Sequence, residues 1–140
     1  MLFAIVMSVF GFTTGCESLD ADRDQVIDLV NESRAAVGLK GVRENPVLDL
    51  KADRWAQRLR DRCRLEHSKL SDGAPREWEK LGENVGYGGS IGQIHDAYLN
   101  SPGHRANILD PAFSSVGAAA VWGTCHGQRR MFTVQVFMKS

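Results

Sequence analysis

The sequence predicts an α+β protein. Apolar residues at helical spacing fill its first two thirds, a helix-start signature at Asn45-Pro46 divides them, and an alternating apolar run from Met131 to Phe137 closes the chain. With 140 residues it has the length for one domain with a real core. Hydrophobic residues make up 43% and charged residues 24%, a balance that argues against wholesale disorder. Lys plus Arg and Asp plus Glu each number 17, so no net field draws the chain to nucleic acid. No long basic run or aromatic stacking platform is present either, and nucleic acid is excluded as an expected partner.

Taken in order, Leu2 to Phe12 is an apolar run broken only by Ser8 and Gly11. It is far shorter than the roughly 20 residues that span a bilayer and fits the core of a secretory signal. Thr13-Thr14-Gly15-Cys16 follows and resembles the lipobox of bacterial lipoproteins, where the cysteine is lipidated. Thr13 replaces the usual Leu, and no Lys or Arg precedes the run, so plain cleavage nearby is the other reading. Residues 1–16 are assigned to this export segment and 17–140 to the folded domain. Export makes the compartment oxidising, where Cys63 and Cys125 can pair; two free thiols are the alternative.

Val26, Leu29, Val30, Ser33 and Val37 trace a first helix, ended by Gly38 and Gly41. Asn45 caps a second, with Pro46 suited to its first position. Leu48, Ala52, Trp55, Ala56, Leu59 and Cys63 form its apolar stripe, which makes Trp55 a core residue. Arg54, Arg58, Arg60, Asp61 and Arg62 fall mostly off it and read as a solvated face. His67-Ser68 follows near the helix end, where a protonated imidazole gains from the helix dipole. Leu81 to Gly89 reads as a glycine-rich turn around Glu83, without the spacing or lysine of a phosphate-binding loop. Ser90 caps a helix from Ile91 to about Asn100, in which His95 is a packed or half-exposed residue. Pro102-Gly103 turns the chain, and His104 stands where a short helix begins. Val116 to Trp122 and Met131 to Phe137 make an antiparallel hairpin, with His126 exposed in its turn.

Four pieces stand in a telling order: His67-Ser68; Gly82-Glu83-Asn84; Tyr98 to Leu109 with Ser-Pro-Gly-His-Arg-Ala-Asn-Ile-Leu; and the hairpin with Val116-Gly117 and Phe132 to Phe137. The set resembles the CAP superfamily of cysteine-rich secretory, antigen 5 and pathogenesis-related proteins, in its bacterial branch of extracellular SCP-like domains. The likeness covers about residues 20 to 140. It implies a three-layer α-β-α sandwich around a mainly antiparallel sheet. It also implies a cavity lined by two histidines and two acids, sometimes with a divalent metal. Carried over, His67, Glu83 and His104 are the ligand-binding residues. The second acid is missing: Ser101 occupies its place, and Asp96 lies a turn earlier.

Two imidazoles and a carboxylate can serve a catalytic metal such as zinc, with His67 and His104 as the metal-binding pair. No HExxH or GxSxG motif is present, so neither a zinc-protease helix nor a serine nucleophile at Ser68 or Ser101 is indicated. The expectation is an exported or lipid-anchored module, extracellular or at the cell envelope, the outer membrane included. It would bind a small ligand, metal, lipid or cell-surface component, and touch a membrane only through a lipid on Cys16. The alternative is a metal-dependent hydrolase of the same cleft, with Glu83 as general base.

Overall fold

The computed structural model describes residues 16–140. The export segment and the lipid site on Cys16 lie outside what is described, apart from the Cys16 backbone, where the first helix begins. The elements are α1 (Cys16–Ala36), β1 (Arg43–Glu44), α2 (Pro46–Arg62), β2 (Lys80–Gly88), α3 (Ile91–Leu99), α4 (Pro102–Ile108), β3 (Ser115–Cys125) and β4 (Gln128–Lys139). Among the described residues no helix is long and apolar enough to cross a membrane.

The sheet runs β1-β3-β4-β2, antiparallel except for a two-residue parallel pairing of β1 with β3. Side chains alternate across a strand, so each strand of the hairpin feeds two cores. Ala119, Val121, Phe132, Val134, Val136 and Met138 meet the stripe Leu48, Ala52, Ala56 and Leu59 of α2. Val116, Ala118, Ala120, Met131 and Phe137 meet Val26 and Val30 of α1, Ile91, Ile94 and Tyr98 of α3, and Ile108 of α4. The result is the three-layer α-β-α sandwich, with α2 alone on one face.

Caps fall where sequence places them. The Asn45 side chain accepts from Val47 N and Leu48 N, and Ser90 accepts from Gln93 N. The hairpin turn is tighter than expected. Pairing continues to Cys125 and Gln128, leaving only His126 (φ 52°) and Gly127 (φ 75°) between the strands. Two consecutive positive φ values match the twist of a two-residue hairpin. His126 is exposed there. Cys63 and Cys125 form a disulfide joining the end of α2 to the end of β3. Closing the 62-residue separation contributes about 4 kcal/mol by restricting the unfolded chain.

One expectation is overturned. Residues 80–88 are not a turn but the edge strand β2, paired along its length with β4. Its glycines serve close approach. A Cβ at Gly82 would lie 2.8 Å from Asn107 Oδ1, and one at Gly86 2.8 Å from Tyr98 Oη. Helices α3 and α4 thus rest almost on the strand backbone, and any side chain there would push them off.

Candidate functional site

The site is assembled around the free edge of β2. Beyond α2 the chain turns at Cys63, which takes a left-handed conformation (φ 50°) and bonds through its N–H to Arg60 O and Leu59 O. The loop that follows is drawn back onto the helix. Trp55 Nε1 donates to Glu66 O at 2.9 Å. Lys51 Nζ donates to Ser68 Oγ (2.9 Å), Lys69 O (3.1 Å) and Asp72 O (2.8 Å). Three acceptors use all three protons of an ammonium group, so Lys51 is a cation and not a base. Burial lowers its pKa, while Glu83 and Asp72 pull it back up. Lys51 is thereby a clamp that holds Ser68, and with it His67, in place.

Glu83 arrives from β2 on the same face as α2. Its side chain is only 1% exposed. One oxygen accepts from His67 Nδ1 and from the Ser68 N–H, both at 2.8 Å; the other accepts from Ser68 Oγ. Because the carboxylate is the acceptor, the His67 N–H at Nδ1 donates to it, and Nε2 is the ring nitrogen left without a protein partner. The imidazole side chain is 60% exposed. The helix dipole plays no part in placing His67, which stands four residues past the left-handed turn; the buried carboxylate does.

His104 comes from the opposite face, in the first turn of α4. A buried amide network holds it. Asn84, the β2 neighbour of Glu83, donates through Nδ2 to Gln135 Oε1 (2.9 Å) and to the His104 carbonyl (3.2 Å). Asn107 donates through Nδ2 to Asn84 Oδ1 (2.9 Å) and to Glu83 O (3.2 Å). The His104 ring packs on Tyr98, centroids 4.9 Å apart. Partial burial and then the nearby His67 lower its pKa, favouring the neutral imidazole. Tyr98 is itself buried, with its hydroxyl bonded to Thr133 Oγ1 at 2.8 Å.

His67 and Glu83 are therefore in direct contact, and His104 stands across the strand edge within electrostatic reach of His67. Glu83 is sealed behind the loop rather than lining an open hollow. Ser101 caps α4 without a side-chain bond, and Asp96 is exposed on α3, so neither supplies a second acid. Ser68 is spent on Glu83 and Lys51. His95 is buried at the α1–α3 contact, where its Nε2 meets Ser33 Oγ at 2.7 Å. Trp55 is only partly buried, at the rim of the α2 core. Among the described residues no group of three or more His, Cys, Asp or Glu side chains is placed to hold a metal ion.

Sequence reasoning missed the Lys51 clamp and the amide network. Both carry a signal. Lys51 lies three residues after Leu48, on the apolar stripe of α2, where a solvated lysine does not belong. Gln135 and Thr133 are the polar residues in the stretch Met131 to Met138 of β4, which is buried on both faces.

Known proteins share this arrangement of elements. The family model for the cysteine-rich secretory protein family, CAP, matches residues 27–137. The uncharacterized protein YkwD of Bacillus subtilis is 30% identical over an alignment of 118 residues that covers 78% of this chain and 46% of that protein. The chain thus spans about half the length of this relative. An extracellular protein containing a SCP domain from Bacillus anthracis superposes with a TM-score of 0.73 at 21% identity, over 96% of this chain and 45% of the other. An outer surface protein from Borrelia burgdorferi gives 0.70 at 17% identity, over 83% and 90% respectively. A cysteine-rich secretory protein from Staphylococcus aureus gives 0.69 at 17% identity, over 89% and 40%.

Proposed function

The chain belongs to the cysteine-rich secretory protein (CAP) family, and from that premise we propose that it is an exported binding module whose ligand or metal is met by His67 and His104. The observation that carries this reading is the Glu83 carboxylate. Buried and accepting three hydrogen bonds, it orients His67 and fixes which ring nitrogen is free. This is the arrangement in which a carboxylate behind a histidine sets the tautomer for a metal or polar ligand in front. In donor chemistry alone, two imidazoles suit a borderline divalent ion such as zinc, and solvent or ligand would complete the shell. When bound, the ion would supply a positive centre for an anionic or carbonyl group. Glu83 and Lys51 hold the first imidazole; Asn84, Asn107 and Tyr98 hold the second.

The hydrolase alternative needs Glu83 as general base. Nothing in the geometry favours it, since each carboxylate oxygen already accepts from His67 or Ser68 and solvent barely reaches the group. Extracellular or envelope placement is supported by the disulfide and by relatives described as extracellular or outer surface proteins. Lipid attachment at Cys16, outer-membrane placement and a lipid or cell-surface ligand belong to the same proposal.

Isothermal titration of residues 17–140 with zinc tests the reading. Saturable heat at pH 7.5, weakened at least tenfold in His67→Ala and in His104→Ala, is expected. Binding should fade as pH falls, because a protonated imidazole cannot take the ion. Equal heats for the three proteins, or an affinity flat from pH 5 to 8, would remove the imidazole pair from the function.

A further inference from the structure

A second site lies on the outer face of α2, away from His104. A cavity of about 310 Å³ opens there, lined by Lys51, Arg54, Trp55, Arg58, Lys69 and Asp72 with Ser68 and Gly73. Four of these residues are cations and one is an acid, in a chain with no net charge. The charges are unevenly answered. Lys51 is balanced across Ser68 by Glu83, and Lys69 by Asp72 at 3.3 Å. Among the described residues, the arginines of α2 and the loop after it that have a carboxylate within ion-pair distance are Arg60, Arg62 and Arg64, while Arg54 and Arg58 have none.

Both guanidinium groups are held in place without being neutralised. Arg54 Nε donates to Leu50 O at 3.1 Å, which leaves its two Nη groups free. Those groups sit over Gly73, where a Cβ would come within 3.7 Å of one of them. Arg58 lies over Trp55, its Cζ 5.3 Å from the ring centroid and within cation–π range. That contact uses none of its N–H groups, which stay available to a phosphate or carboxylate. Trp55, read from sequence as core, here forms an apolar wall. A cavity of this volume is at the small end of ligand pockets and takes one ring with its charged group.

We propose that this cavity binds a small anionic ligand of monosaccharide size, a sugar phosphate or a sugar carboxylate. Its anion would lie between Arg54 and Arg58 and its ring against Trp55. The site is independent of the imidazole pair, although Ser68 borders both.

The test follows the indole N–H resonance of Trp55, assigned with Trp55→Phe, during titration at constant ionic strength. The probes are inorganic phosphate, glucose 6-phosphate, glucuronate and glucose. A saturable shift is expected with glucose 6-phosphate or glucuronate, at least tenfold tighter than with phosphate alone. It should weaken at least tenfold in Arg54→Gln and in Arg58→Gln, and stay unchanged in His104→Ala. Circular dichroism checks that both glutamine variants fold. Sodium chloride reproducing the shift, glucose matching the charged sugars, or glutamine variants binding like wild type would each return this face to a solvated basic surface. A wild-type protein that binds no zinc but still gives the sugar titration would overturn the imidazole reading alone.

Discussion

Among single residues, His95 shows how packing decides what a histidine does. It lies on α3 in the company of Ile91, Ile94 and Tyr98, all buried. Its Nε2 is met by Ser33 of α1, and its Nδ1 has no partner. Burial lowers its pKa, against the smaller opposing pull of Asp96 beside it and Glu32 on α1. The unfolded chain therefore takes up the proton near pH 6.5, and the folded protein only at lower pH. Stability must fall as pH drops below about 6.5, by up to about 1.4 kcal/mol per pH unit within the window between the two pKa values. His95→Gln keeps a side chain that can bond Ser33 but cannot titrate. Thermal midpoints from pH 7.5 to 5 should show a shallower acid loss in this variant than in wild type. Parallel profiles would mean that His95 does not report the proton. His104, half-buried and also lowered, adds to the same acid loss, which is why the slope is compared between wild type and the His95 variant.

At the scale of elements, β2 sets the geometry of the site. Its odd residues Leu81, Glu83 and Val85 face α2, and its even residues Gly82, Asn84 and Gly86 face α3 and α4. Two imidazoles from opposite layers can therefore approach one edge. This strand is also the least legible part of the sequence. Three glycines within seven residues look like a turn, because the signal for close helix approach is the same residue that marks chain reversal. The helices are legible because each buries one face, and the hairpin because its alternation is regular. A substitution separates close approach from turn chemistry. Gly86→Ala would place a methyl group 2.8 Å from Tyr98 Oη and is expected to cost about 1–3 kcal/mol in urea unfolding. Gly92→Ala, in α3 with nothing within 4 Å, should be neutral or stabilising by up to about 1 kcal/mol. Equal stability of the two variants would show that α3 does not bear on the strand.

For the molecule as a whole, order of motifs carries more than any local pattern. His67, Glu83 and His104 are separated by loops and by a sheet, and no spacing rule brings them together. Only the ordered likeness to a known family points to all three. What that likeness could not supply is the interior support: the clamp from α2 and the amides of β2, α4 and β4 that let polar groups sit inside a small protein without loss. The clamp also divides the chain's amines into two kinds. Of five lysines, Lys40, Lys69, Lys80 and Lys139 are exposed, while Lys51 is 5% exposed with every proton engaged. Acylation of the native protein with acetic anhydride, read by peptide mass, should tag four sites and spare one. Delayed labelling of that last amine then becomes a clock for opening of the 66–73 loop, and its modification at the rate of the other four would contradict a closed clamp.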